Sequence, residues 1–205
     1  MGKAFIILLV SLFFCSSAVW SGEPRRLVAG ETLTGGFEQV RYLNGLSRPL
    51  RSSGTFVLSP GAGLIWRTEA PLRSTAVLTP KGLVQLVDNA EAISLDAALV
   101  PMIARVFETI AGALAGDRSA LERDFAVTFK AAGEDWSITL IPRGQSRSES
   151  TPFQSIEIDG RELVTSVTLQ RPGGDRDEIR FANQTVERRD LSDDDKRLLA
   201  RTANR

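Results

Sequence analysis

The sequence predicts a mainly β protein with helices, of α+β type: an antiparallel sheet curved strongly enough to make an unclosed barrel, covered by helical segments. Three observations predict this. Apolar residues alternate with period two over most of the chain beyond Gly35. Turn signals such as Pro60-Gly61-Ala62-Gly63, Pro80-Lys81-Gly82 and Pro172-Gly173-Gly174 interrupt the alternation at short intervals. One stretch alone, beginning near Asp96, switches to steps of three and four.

Composition narrows the function before any motif does. The chain has 205 residues, with 25 Lys+Arg against 25 Asp+Glu, one Cys and no His. That length suits a single domain with a sizeable core. A balanced charge gives no footprint for nucleic acid. Without His there is no Ser-His or Cys-His pair and no HExxH zinc site, and one Cys makes neither an internal disulfide nor a cysteine cluster. No metal or cofactor is expected. No GxSxG elbow occurs, and no paired carboxylates stand out, so the chain does not read as an enzyme.

The N-terminus reads as an export signal. Lys3 precedes an apolar run from Ala4 to Phe14, broken only by Ser11, and small residues follow. The run is too short for a membrane-spanning anchor. Ser16 and Ala18 at −3 and −1 place cleavage after Ala18, with Ser21 as an alternative, so the signal is 1–18 and the mature domain 19–205. Cys15 has a second reading as a lipidated first residue, but Phe14 before it is bulky for that processing.

The elements follow in order. Phe37–Leu43 and Arg51–Leu58 read as strands, then Leu64–Thr68 after a turn; an even-sum hairpin register puts Phe56, Leu58, Leu64 and Trp66 on one face. Thr75–Thr79 and Leu83–Val87 flank the next turn. Leu99, Met102, Ile103, Val106, Phe107, Ile110 and Leu114 then predict a helix from about Asp96 to Ala115, with Ser94 or Asp96 at its N-cap and Gly116 at its end. Beyond Asp124, Phe125, Val127 and Phe129 alternate on one side of a turn, and Trp136, Ile138 and Leu140 on the other. Pairing Phe129 with Trp136 pairs the rest. Residues 142–152 read as a polar loop. Asp159-Gly160 reads as a two-residue hairpin turn between Phe153–Ile158 and Arg161–Leu169. Glu178–Val186 is a further strand, and Ser192 with Asp193-Asp194-Asp195 caps a final helix to about Ala203. The count is about ten strands.

The motifs Phe37-x-Gln39, Ser53-Gly54-x-Phe56-x-Leu58, Pro60-Gly61 leading to Trp66, then Pro71, Leu78 and Gly82 resemble the first half of the LolA family. These are periplasmic carriers that bring lipoproteins to the outer membrane. The resemblance implies an unclosed barrel of LolA/LolB-like type, lidded by helices, whose apolar cavity receives acyl chains. It implies that Phe56, Leu58 and Trp66 face the cavity; Leu64, Phe129 and Trp136 are further candidates from the alternation, as core or cavity wall. It implies that the helix carrying Met102, Ile103, Val106, Phe107 and Ile110 is a lid or plug. Three features depart from the family pattern: Ser59-Pro60 stands where Arg-Pro is usual, Leu83-Val84-Gln85-Leu86 replaces an aromatic pair, and residues 94–124 read as one strong helix instead of short pieces.

The residues alone leave two readings for these apolar faces, filled core or cavity wall. The family resemblance implies a periplasmic, non-enzymatic carrier. Its partners would be an acylated lipoprotein or another lipidated envelope molecule, an inner-membrane donor and an outer-membrane acceptor. The alternatives are a lipid-binding sensor or adaptor that does not shuttle, and a membrane-anchored LolB-like acceptor if Cys15 is lipidated.

Overall fold

The computed structural model describes residues 22–96, 109, 111–143 and 153–202. Its strands are β1 Thr32–Tyr42, β2 Leu50–Ser59, β3 Gly63–Ala70, β4 Ser74–Thr79, β5 Gly82–Val87, β6 Ala90–Asp96, β7 Phe125–Ala132, β8 Asp135–Pro142, β9 Ser155–Gly160, β10 Val164–Gln170 and β11 Arg176–Glu187. Helix α1 is Arg118–Glu122 and α2 is Asp193–Ala200. The eleven strands form one sheet in the order β6-β5-β4-β3-β2-β1-β11-β10-β9-β8-β7.

That order is two meanders joined at the middle. The first and last strands pair antiparallel, from Thr32↔Glu187 to Tyr42↔Arg176. The free edges are β6 and β7, which are consecutive strands of the chain. Strands consecutive in the chain thus stand at opposite edges of the sheet. An antiparallel sheet this wide curls instead of lying flat, and it is left unclosed.

Alternation sorts the two faces. On the inner face Leu33 opposes Leu58, Leu58 opposes Leu64, and Leu64 opposes Leu78. On the far limb Ile138 opposes Ile158, and Leu140 opposes Ile156. These residues share one cluster with Ala113, Leu114, Ala115 and with Leu121 of α1. Each fully buried aliphatic chain contributes about 1.5–3 kcal/mol. The segment before β1 straps this end of the sheet: Leu27 N–H donates to the Ala115 carbonyl and Arg25 N–H to that of Glu162, both at 2.8 Å.

The outer face has its own cover. Ile65 and Val77 point away from the inner cluster and are solvent-free. Helix α2 packs over β3 and β4. Ser192 caps it by accepting from the Asp195 N–H, as the sequence predicts. The Arg67 guanidinium reaches Asp195 at 2.5 Å, and the Thr79 and Thr202 hydroxyls share a hydrogen bond of 2.8 Å.

Three local expectations need correction. Ser94 and Asp96 do not cap a helix; they lie in β6, opposite Val84 and Gly82. Left alone, β5 would be an unpaired edge, and satisfying its backbone groups outweighs the weak local preference of residues 90–96. This is the eleventh strand. Residues 94–124 are accordingly not one helix: residues 111–114 are helical, Gly116 at φ 67° ends that turn, and α1 follows separately. The β7–β8 register is also two residues from the expected one, with Val127↔Leu140, Phe129↔Ile138 and Ala131↔Trp136 around a tight turn at 133–134. A two-residue slip keeps every side chain on its expected face.

Asp159 and Gly160 are the third correction. Both lie within β9, and the turn is at 161–163. Gly160 is glycine because the Trp136 ring lies on it: a Cβ there would come within 2.2 Å of the indole. The central part of the predicted helix, including Met102, Ile103, Val106, Phe107 and Ile110, lies outside the described residues. So do the signal segment with Cys15 and Ala18, and most of the polar loop.

Candidate functional site

The site is built from strand alternation. The β2–β3 hairpin pairs Phe56 with Trp66 and Leu58 with Leu64, so these four share the inner face as the sequence predicts. Phe37 of β1 joins them, its ring stacked on Trp66 with centroids 3.9 Å apart. Phe181 of β11 meets Phe56 and Trp66 edge-on, at 5.3 and 6.1 Å. Four strands thus contribute to one aromatic cluster, in which the edge-on contacts of Phe181 have a favourable geometry for such rings.

The remaining predicted residues lie on the other limb. Trp136 and Phe129 occupy the inner face of β8 and β7. The Trp136 indole N–H donates to the Arg161 carbonyl, which fixes the ring over Gly160. Burial divides the candidates. Phe56, Leu58, Leu64 and Trp136 are buried, whereas Trp66 and Phe129 remain half-buried, as does Phe181. The half-buried rings are the ones a ligand can touch without displacing the core.

The inner face is not apolar throughout. Two residues beyond Phe37 comes Gln39, then Arg41; two beyond Phe181 towards the strand start comes Ile179, then Asp177. Asp177 is 1% exposed. Its carboxylate accepts from Arg41 Nε at 2.6 Å, Gln39 Nε2 at 3.0 Å and an Arg171 terminal nitrogen at 2.6 Å. Such charge-assisted bonds are what a buried carboxylate requires. Sequence reasoning missed this group. The alternation placed Gln39 and Arg41 in a strand, but nothing local indicated that a buried carboxylate of the last strand lay opposite.

On the outer face the Asp195 carboxyl is held below its ordinary range. Burial works against its ionisation, but hydrogen bonds from Ser192 and Arg67, with the Arg67 charge, outweigh it. Among the described residues no group of three His, Cys, Asp or Glu is placed to hold a metal ion, and no helix is long and apolar enough to cross a membrane. The arrangement is a broad apolar surface with a few accessible aromatic rings and one charged end. Its chemistry is that of burial.

Comparison with known proteins gives a consistent result. The family model described as "Outer membrane lipoprotein carrier protein LolA" matches residues 29–194. A protein of Pseudomonas fluorescens named outer-membrane lipoprotein carrier protein is 30% identical over 165 residues, covering 78% of this chain and 76% of its own length. A protein of Pseudomonas putida with the same name is 28% identical over 197 residues, covering 90% and 91%. Among solved structures, a LolA superfamily protein from Nitrosomonas europaea superposes with a TM-score of 0.44 at 9% identity, covering 82% of this chain and 90% of that one.

Proposed function

This chain belongs to the LolA family of outer-membrane lipoprotein carriers, and from that membership we propose that it holds the acyl chains of a lipoprotein against its inner face and passes them towards the outer membrane. The observation that carries the reading is the half-buried aromatic surface of Trp66, Phe181 and Phe129, set on the inner apolar cluster of a sheet whose edges among the described residues are β6 and β7. The carrier works in the periplasm, delivered there by the 1–18 signal. It takes cargo from an inner-membrane donor and yields it to an outer-membrane acceptor. Transfer needs no covalent step, because affinity differences between donor, carrier and acceptor set its direction.

Burial of an acyl chain contributes about 0.8 kcal/mol per methylene. A carrier that kept the whole of this could not release its load. A lid that occupies the apolar face when empty offsets most of it, since net affinity is then the difference between two packings. Met102, Ile103, Val106, Phe107 and Ile110 supply such a lid from the segment joining the sheet edges, and the flexible methionine suits repacking.

The test is to strip the mature protein of lipid and reload it with a fluorescent acylated peptide. Binding that is saturable and is altered by Met102→Asp and Phe107→Asp supports the reading. A protein that binds no acylated peptide overturns it, and unchanged binding in both variants overturns the lid. Mass spectrometry of protein purified from envelopes should show bound lipid or lipopeptide.

A further inference from the structure

The charged end of the inner face occupies a place that apolar packing often fills with no loss of stability. Burying an ion pair in place of apolar packing is often neutral or destabilising, and every neighbouring inner position of β1 and β11 towards the cluster is apolar or uncharged: Phe37, Gln39, Ile179, Phe181. Arg41 and Arg171 each give one nitrogen to Asp177, one on each carboxylate oxygen. Two guanidiniums around one carboxylate leave a net positive charge. Their side chains are 41% and 34% exposed, so their free edges reach solvent while the carboxylate between them does not. Arg171 Nε, in contrast, is buried with no hydrogen-bond partner among the described residues, which is a donor lacking an acceptor.

Of the nearby acids, Glu178 is paired with Arg176, Glu38 points to the opposite face of β1, and Asp175 directs its carboxylate to the Asn44 N–H in the adjoining turn. Gln39 accepts a hydrogen bond from Ser52 of β2, and both line an open pocket of about 330 Å³ with Glu38, Arg51 and Pro71, beside the arginine pair and not lined by it. On one face of one sheet, the chain therefore presents an apolar stretch, an aromatic cluster and then two guanidiniums fixed in orientation by a buried carboxylate. Arg41 lies four residues beyond Phe37 along the strand, about 13 Å.

We propose that Arg41 and Arg171 form a head-group subsite for amphiphiles whose polar end is an anion, a phosphate or a carboxylate, with the acyl chain lying over Trp66, Phe37 and Phe181. The inference rests on the acyl-binding reading and adds a class of head group to it. Guanidinium forks suit both oxyanions, because each offers paired oxygens to paired donors. Asp177 acts by positioning: it holds one nitrogen of each guanidinium and, being buried, does not itself touch the ligand.

The experiment measures binding of three probes that share a palmitoyl chain: lysophosphatidylglycerol, palmitate and the neutral monopalmitoylglycerol. Wild-type protein is expected to bind one or both anionic probes about tenfold more tightly than the neutral one, with the stronger of the two identifying the head group. Arg41→Gln and Arg171→Gln should each remove most of that preference while leaving the neutral probe within twofold. Arg41→Lys should keep part of it, and the same charge change on the outer face, Arg180→Gln, should leave it intact. Each single variant leaves Asp177 one arginine and Gln39, which protects the fold. Equal binding of all three probes by the wild-type protein overturns the subsite while acyl binding stands. So does a loss in Arg41→Gln that is the same for charged and neutral probes. Failure of every probe to bind overturns the carrier reading as well.

Discussion

Phe37 stacks on Trp66 at 3.9 Å although β2 lies between their strands. The rings meet because the β2 residue directly opposite Phe37 is Gly54, which has no side chain to part them. The same glycine sits at an irregularity in the β2–β3 ladder, where a Cβ would come within 1.8 Å of the Arg67 carbonyl oxygen. One missing side chain thus sets both the bend of the hairpin and the centre of the aromatic cluster.

Gly54→Ala should therefore destabilise the protein by about 1–3 kcal/mol, the usual range for overpacking a close-packed site. The urea midpoint of the mature protein measures the loss, and an unchanged midpoint would show that the backbone yields without cost.

Gly160→Ala should be at least as harmful, because the added methyl meets the Trp136 ring and that ring is tethered by its bond to Arg161. Near-ultraviolet circular dichroism of the tryptophan should change with it. Trp136→Phe, which keeps an aromatic side chain but drops the indole N–H donor, should cost about 1 kcal/mol, the ordinary net value of a hydrogen bond, plus the packing lost with the smaller ring.

Asp177→Ala should cost about 2 kcal/mol, since it leaves two guanidiniums and an amide without their common acceptor, and both guanidiniums recover some water. Thermal denaturation at low and high salt should show the loss shrinking as salt screens the repulsion between Arg41 and Arg171. A salt-independent loss would mean that packing, not charge, is what Asp177 supplies.

The contact between Arg67 and Asp195 gives the pH dependence a definite sign. Asp195 is depressed in the folded protein. Its contribution is present in full above the unfolded carboxyl pKa of about 3.9, and it is lost as pH falls through the lower folded value. Stability should fall on acidification below about pH 4. In Asp195→Asn that part of the acid slope should be absent, and protection of α2 amides in hydrogen exchange should be weaker at neutral pH. An acid slope identical in both proteins would remove Asp195 from the account.

Much of the fold is legible because it depends on local periodicity. Alternation at Phe56, Leu58, Leu64 and Trp66 fixes which side chains share a face, and a hairpin with a short turn fixes their pairing. For the β7–β8 hairpin the same signal gave the correct face with the register two residues away, because side-chain parity is blind to a shift of two. Ser94 and Asp96 carried a helix-start signal, yet the edge of β5 drew them into a strand, since unpaired ladder groups outweigh a cap preference. Gly160 looked like a turn residue and is instead the floor under an indole.

The sequence by itself determined the class of the sheet, the faces of its strands, the Ser192 cap and a family resemblance that the family match confirms. Only the tertiary structure decided that the first strand pairs with the last, and hence that Arg41 meets an aspartate 136 residues away in the chain. Periodicity is set by neighbours two to four residues along the chain, so it can be read from a short window. Which distant strands meet depends on the closure of the whole sheet, and no local window contains that.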